Sequence, residues 1–112
     1  MIHAYAYRTP RVAASLAVEF VTEGGVLSGH TRDISEHGLR ADFGEPVLPK
    51  TAGRVRFRTG RCLLELEAHV SHTEGYTAGL VFVFASEAES SFVRAILDVL
   101  QRTAEHPESA ED

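Results

Sequence analysis

The sequence predicts a mainly β domain that ends in one α-helix, and three observations support this prediction. In four segments between residues 15 and 84, apolar and polar residues alternate with the two-residue period of half-buried strands. Glycine-containing breaks separate these segments at nearly regular intervals. From Ser86 onward the apolar residues recur at helical spacing instead. Five or six short strands with such breaks are typical of a small barrel or a sandwich.

The four strand segments differ in the side chains on their two faces. Residues 15–21 place three apolar side chains on one face of their strand, and residues 62–72 place four apolar side chains on one face of theirs. Residues 76–84 form a further, strongly apolar strand. Residues 53–59 alternate most cleanly, with apolar side chains on one face and three arginines on the other: Arg54, Arg56 and Arg58. Across the reversal predicted at Thr59-Gly60, these arginines either pair with glutamates of the next strand or form a patch for an acidic partner or for phosphates.

The C-terminal helix is predicted to begin at Ser86 and to end near Arg102. Ser86 and Glu89 form an S-x-x-E capping box, in which the hydroxyl and the carboxylate each accept a free backbone N–H. Apolar side chains then form one stripe: Phe92, Val93, Ile96, Leu97 and Leu100. Residues 103–112 are acidic, contain a proline and lack large apolar side chains, so they are predicted to be a disordered tail.

Composition and charge restrict the class of protein. The 112 residues suffice for one domain, and the single cysteine excludes an internal disulfide. No apolar run approaches the roughly 18 residues of a membrane helix, and no signal pattern opens the chain, so we expect a cytoplasmic protein without membrane insertion. Residues 1–61 hold nine of the eleven basic groups, but the net charge of −5 argues against binding a nucleic-acid polymer. A small anion could still meet a positive surface on the N-terminal half.

Two short motifs are candidates for a binding site. Asp33, Ser35 and Gly38 follow the order D-x-S-x-x-G between two predicted strands. In a purely local interpretation, the acid and the hydroxyl bond the backbone of an irregular turn, and the glycine adopts a positive φ. Upstream, Arg8 and Arg11 bracket Thr9-Pro10 just before the first strand. Two guanidiniums there suit a phosphate or a purine edge, although a solvated basic terminus has the same composition.

Taken in order, these segments resemble the PilZ domain, the bacterial receptor module for cyclic di-GMP. In that family an R-x-x-x-R segment precedes the first strand, and a D/N-x-S-x-x-G motif follows the second. The likeness covers about residues 7–100. It implies a six-stranded antiparallel PilZ-type β-barrel with a C-terminal α-helix at residues 14–102, preceded by an N-terminal arm at residues 1–13.

The resemblance also implies a function. It indicates a cyclic di-GMP-binding receptor or adaptor in a bacterial second-messenger pathway that controls motility, polysaccharide or biofilm formation. The chain would act through an unidentified protein partner, as a monomer or homodimer. Carried onto this chain, the family pattern assigns Asp33 and Ser35 to contacts with guanine, Gly38 to close backbone approach, and Arg11 to guanine and phosphate.

The arginine motif departs from the family pattern at its first position. Tyr7 stands where the family has an arginine, and Arg8 follows one position later. On an extended strand, one position shifts a side chain by about 3.3 Å and to the opposite face, so Arg8 could not substitute. In a loose arm Arg8 could swing in, and Tyr7 could stack on a purine. The alternative function is therefore a degenerate PilZ-fold interaction module that does not bind cyclic di-GMP.

No catalytic or metal site is predicted. Ser35 lacks the strand-to-helix elbow of a nucleophilic serine, and Asp33 suits a turn better than acid–base chemistry. His69 and His72 are three apart on a predicted strand, which would place them on opposite faces and prevent shared metal binding. We therefore expect a binding protein rather than an enzyme, with cyclic di-GMP as ligand and no other cofactor.

Overall fold

The computed structural model describes residues 11–60 and 62–105. Within these residues, seven strands and a C-terminal helix follow one another along the chain. They are β1 (Val12–Ala13), β2 (Ala17–Thr22), β3 (Gly25–Ile34), β4 (Gly38–Phe43), β5 (Ala52–Thr59), β6 (Cys62–Glu74), β7 (Thr77–Val83) and α1 (Glu87–Glu105).

Six of these strands close into an antiparallel barrel, which confirms the predicted fold class. Neighbours follow the order β3-β2-β5-β6-β7-β4, and β4 pairs back with β3. The inward faces are those that the alternation predicted: Val18, Phe20, Val55, Phe57, Leu64 and Leu66 are all buried. Val93 and Ile96 of α1 belong to the same core, so the apolar stripe of the helix packs against the barrel. Burial of each large side chain contributes about 1.5–3 kcal/mol.

The two-residue strand β1 attaches the end of the predicted N-terminal arm to the barrel. Val12 and Ala13, which were assigned to the arm, pair with Ile34 and Asp33 of β3. The buried hydroxyl of Thr31 explains this attachment. It accepts the N–H of Leu16 at 2.9 Å and donates to the carbonyl of Ala14, so the chain between β1 and β2 is tied to β3. Residues 1–10 of the predicted arm lie outside the described residues.

The helix begins as predicted but extends further. The Ser86 hydroxyl accepts the N–H of Glu89 at 3.4 Å, while the Glu89 carboxylate accepts the N–H of Ala85 at 2.8 Å, one residue earlier than a capping box predicts. α1 continues to Glu105, so residues 103–105, predicted to be tail, are helical. No proline interrupts the helical pattern before residue 107, which explains the extra turn. Residues 106–112 of the predicted tail lie outside the described residues. No described helix combines the length and apolar character that a bilayer span requires.

A β-bulge corrects the predicted placement of two histidines. His69 pairs with Val81 and His72 pairs with Gly79, with an irregularity in between. Because Val81 and Gly79 are two residues apart on β7, both histidines lie on the same outer face. The prediction of opposite faces was wrong because it assumed a regular strand, and the bulge adds one residue. Even so, the described residues contain no group of three His, Cys, Asp or Glu side chains that could hold a metal ion.

Candidate functional site

The carboxylate of Asp33 is the centre of the candidate site. Arg11 donates to its Oδ1 from Nε at 2.7 Å, and Nη2 of Arg11 forms an ion pair with the same oxygen at 2.6 Å. Arg40 donates to its Oδ2 from Nε at 2.9 Å and from Nη2 at 2.5 Å. The side chain of Asp33 is 10% exposed, whereas those of Arg11 and Arg40 are 43% and 46% exposed. Two guanidiniums therefore flank one shielded carboxylate and turn their outer sides to solvent.

Strand register brings these three side chains together. Ala13 pairs with Asp33, and Arg11, two residues before Ala13, lies on the same outer face. Arg40 pairs directly with Asp33 across β3 and β4. A register shift between Thr31 and Asp33 makes Arg32 the extra residue of this ladder, so that Asp33 stands opposite Arg40. The geometry thus joins the upstream arginine to the D-x-S-x-x-G motif 22 residues later.

The two arginines also control the protonation of the site. Burial alone raises the pKa of Asp33, but the hydrogen bonds and charges of Arg40 and Arg11 outweigh burial and hold the pKa below its ordinary value. The hydrogen bond to Asp33 in turn raises the pKa of Arg40. The site therefore contains a carboxylate and two guanidiniums at neutral pH, with one net positive charge.

Ser35 is used inside the turn. The residue is 1% exposed, and its hydroxyl donates to the carbonyl of Gly38 at 3.3 Å and accepts the N–H of His37 at 3.2 Å. The backbone N–H of Ser35 donates to the same carbonyl at 2.8 Å. These contacts match the local interpretation of the motif. The serine fixes the turn that carries Asp33 into place on the barrel surface.

Gly38 is required by the neighbouring strand. Its φ is not positive, contrary to the local interpretation, since the positive-φ glycines of the described residues are Gly25, Gly60 and Gly75. A Cβ atom at Gly38 would lie 2.0 Å from the carbonyl oxygen of Leu80. The close backbone approach that this glycine permits is therefore the approach of β7 to β4.

Sequence reasoning missed Arg40, the second partner of Asp33. A signal existed, because Arg40 lies two residues after Gly38 and alternation places it on the outer face of β4. Beyond Arg40 comes Gly79 on β7, with which Arg40 pairs, and the ring of His72 occupies the space where a side chain at Gly79 would lie. The row Asp33, Arg40, Gly79 and His72 crosses four adjacent strands. Tyr7 and Arg8, the other predicted site residues, lie outside the described residues.

Comparisons with known proteins identify the family. In solved structures, the chain is similar to the PilZ domain of YcgR from Escherichia coli with c-di-GMP, at a TM-score of 0.79 and 14% identity over 94% of this chain and 97% of that chain. It is also similar to the PilZ domain of CeSA from a cellulose-synthesizing bacterium, at a TM-score of 0.71 and 18% identity over 83% of this chain and 99% of that chain.

A third similar structure is the Bacillus subtilis inhibitor of motility, MotI/DgrA, at a TM-score of 0.67 and 17% identity over 87% of this chain and 50% of that chain. At these identities the structural likeness shows the fold alone. No curated protein sequence matches the chain. The family model of the PilZ domain, however, matches residues 7–98, which is most of the sequence. The protein therefore belongs to the PilZ domain family, a family of cyclic di-GMP receptors.

Proposed function

We propose that this protein binds cyclic di-GMP on the outer face of the barrel beside Asp33 and signals by binding a protein partner. The observation that supports this proposal is the ion pair between Arg11 and Asp33, which joins the two motifs at one point. Arg11 and Arg40 offer guanidiniums to the phosphates or to the N7/O6 edge of guanine. Oδ1 of Asp33 accepts one hydrogen bond, from Arg11, and keeps one lone pair that can accept an N–H group of a guanine.

In this proposal the ligand orders the chain before Arg11. β1 already fixes Arg11 beside Asp33, so only the preceding residues must close over the nucleotide. Closure would bring Arg8 to a phosphate and Tyr7 to a purine face, where stacking contributes roughly 1–3 kcal/mol. The free energy of closure comes from the greater affinity of the ligand for the closed arm. In this proposal the receptor acts in the bacterial cytoplasm, in control of motility, polysaccharide or biofilm formation, as the family resemblance implies.

A second candidate function is an interaction module that has lost nucleotide binding. The tyrosine at position 7 favours it, because one charge-assisted contact is worth about 1.5–3 kcal/mol, or roughly ten- to a hundredfold in affinity. The complete D-x-S-x-x-G motif and the arginine at position 11 favour the receptor.

Calorimetry with cyclic di-GMP separates the two candidates. We expect the unaltered protein to bind, and Arg11→Ala to weaken binding by about ten- to a hundredfold, because the substitution removes a guanidinium that is held at the site. If the unaltered protein gives no binding heat at tens of micromolar, the receptor is excluded and the interaction module stands.

Restoring the family arginine at position 7 tests the proposed arm. Tyr7→Arg should tighten cyclic di-GMP binding by about tenfold, since it adds one charge-assisted contact to the phosphates. Tyr5→Arg adds the same charge two positions earlier and should change the affinity by less than about threefold. Equal tightening in both variants would mean that general charge, and not a defined contact, determines the affinity.

Arg40, which the motif alone does not reveal, should contribute to binding. Arg40→Ala is expected to weaken cyclic di-GMP binding by about tenfold or more, and Arg40→Lys by less, since lysine keeps the charge without the forked donors. Arg32→Ala is the matched control, because Arg32 is similarly exposed and pairs with Asp42 at 2.8 Å. Isothermal titration of the three variants measures the difference, and an equal loss in Arg32→Ala would contradict a specific role for Arg40.

A further inference from the structure

A groove distinct from the Asp33 site lies on the outer surface of the barrel. It has a volume of about 720 Å³, which is in the range of ligand-sized pockets. None of the residues that surround Asp33 lines it. The side chains that decide its chemistry come from five strands: Ala17, Glu19, His30, Asp42, Arg58 and Leu63.

One arginine of the groove has no carboxylate partner in the part of the chain that the structure describes. Of the three arginines on the outer face of β5, Arg54 pairs with Glu65 at 3.2 Å and Arg56 pairs with Glu19 at 2.7 Å. Arg58 is exposed and forms an ion pair with no carboxylate of the described residues. Arg54 thus pairs with a glutamate of the next strand, as the sequence allowed, whereas Arg56 pairs with Glu19 on its other neighbour, β2, and Arg58 is left to meet a ligand.

Apolar side chains flank this guanidinium. Arg58 pairs with Leu63 on β6, and Leu63 is 52% exposed. On the other side, Phe57 pairs with Val18 across the antiparallel strands β5 and β2. Arg58 follows Phe57 and Ala17 precedes Val18, so these two residues are neighbours on the outer face. A ligand that fills this part of the groove would therefore meet one positive charge between two apolar surfaces.

The remaining charges leave the groove without the net positive charge that favours a strongly anionic ligand. Glu19 and Asp42 both line the groove, and each is already paired, with Arg56 and Arg32 respectively. Arg56 and Arg58 also line the groove, so its two arginines and two carboxylates cancel and give a phosphate or a nucleic-acid backbone no net attraction, whereas a single carboxylate requires only Arg58. The carboxylates and the nearby His30 also provide acceptors and donors for a peptide backbone. These properties favour a polypeptide over a nucleotide.

We propose that this groove docks a partner polypeptide that presents an acidic side chain next to an apolar one. The carboxylate pairs with Arg58, and the apolar side chain packs on Leu63 and Ala17. The partner is held by side chains and not by strand addition, because β2 and β5 are paired along both edges. The inference goes beyond the proposed function by naming the chemistry of the partner, and it applies whether or not the chain binds cyclic di-GMP.

Peptide titrations of the isotope-labelled full chain, followed by amide chemical shifts, test the groove. The probe is acetyl-Ser-Leu-Glu-Phe-Ser-amide, and its control carries lysine in place of glutamate. We expect the acidic peptide to bind at about millimolar strength, with shifts concentrated at His30, Arg58 and Leu63, and the lysine peptide to leave these amides unchanged. No groove shifts at roughly 5 mM acidic peptide would overturn the proposal.

Variants of the exposed arginines give the matched control. Arg58→Ala should weaken peptide binding by at least about tenfold, whereas Arg54→Ala, on the same strand and face, should leave it unchanged. Arg58→Glu should reverse the preference and bind the lysine peptide. An equal loss in Arg54→Ala, or tighter binding of inorganic phosphate than of the peptide, contradicts the proposed occupant. Cyclic di-GMP affinity should be the same in Arg58→Ala as in the unaltered protein, which separates failure of this proposal from failure of the nucleotide site.

Discussion

Replacing Asp33 with alanine is expected to abolish measurable cyclic di-GMP binding and to destabilise the fold at neutral pH. The substitution removes the acceptor of three guanidinium hydrogen bonds and leaves Arg11 and Arg40 as two neighbouring positive charges. Because both arginines are about half exposed, water replaces part of the lost interaction, and we expect a loss of about 2 kcal/mol in the free energy of unfolding. Binding should fall by at least about a hundredfold, since the base acceptor and the position of both guanidiniums are lost together.

Asp42→Ala is the matched control for this prediction. Asp42 lies on the same outer face and also pairs with an arginine, but its side chain is 45% exposed, and the guanidinium of its partner Arg32 forms no ion pair with Asp33 among the described residues. We expect nucleotide affinity within about threefold of the unaltered protein. Calorimetry and urea unfolding measure both effects. If Asp33→Ala binds as tightly as Asp42→Ala, the nucleotide does not lie beside Asp33.

Because the pKa of Asp33 is lowered, this residue should also affect how the unfolding free energy changes at acidic pH. A carboxyl whose folded pKa is below its unfolded pKa contributes stability above the unfolded value, near pH 4, and loses that contribution as the pH falls through the folded pKa. The Asp33→Asn variant should therefore lose less unfolding free energy than the unaltered protein as the pH falls below about 4. The pKa of Asp42 is also lowered, chiefly by its hydrogen bond from Arg32. The contribution of Asp33 is therefore obtained by comparing how the unfolding free energy depends on pH in Asp42→Asn and in the variant that carries both Asp33→Asn and Asp42→Asn.

The barrel was predictable because half-buried strands display their inward face in the sequence. Val55 and Phe57 alternate with arginines, and the structure buries both apolar side chains. The helix was predictable for the same reason, from the change of apolar spacing after Ser86. Its C-terminal end was not, because Arg102 is followed by residues that neither favour nor forbid another turn.

The details of the site were less predictable because they depend on bulges and on strand order. One extra residue at Arg32 sets Asp33 opposite Arg40, and one at Ser71 brings His72 to the outer face with His69. A bulge changes every face assignment beyond it but has no fixed composition, so alternation alone does not locate it. The motif likeness did supply Asp33 and Arg11, which the structure brings into contact.

Gly38→Ala is the second substitution with a large expected effect, and it should act on the fold. The added methyl group would lie 2.0 Å from the carbonyl oxygen of Leu80, which is backbone and cannot rotate away. Strands β4 and β7 would have to separate, at the point where Gly38 pairs with Val81. We expect a loss of roughly 3 kcal/mol in the free energy of unfolding, at the upper end of the range for overpacked sites. Urea unfolding of the purified variant measures it.

Gly44→Ala makes the same chemical change where it should cost little. A Cβ atom at Gly44 would meet no atom within 4 Å, and its φ is not in the left-handed region, so its unfolding free energy should change by less than about 0.5 kcal/mol. Comparing Gly38→Ala with Gly44→Ala also distinguishes two possible roles of Gly38, in the sheet and at the ligand. If Gly38 serves the sheet, Gly38→Ala loses stability, and binding is lost because the turn that carries Asp33 is displaced. A variant that keeps its stability and loses only cyclic di-GMP affinity would instead show that the glycine makes room for the ligand, as the family resemblance implies.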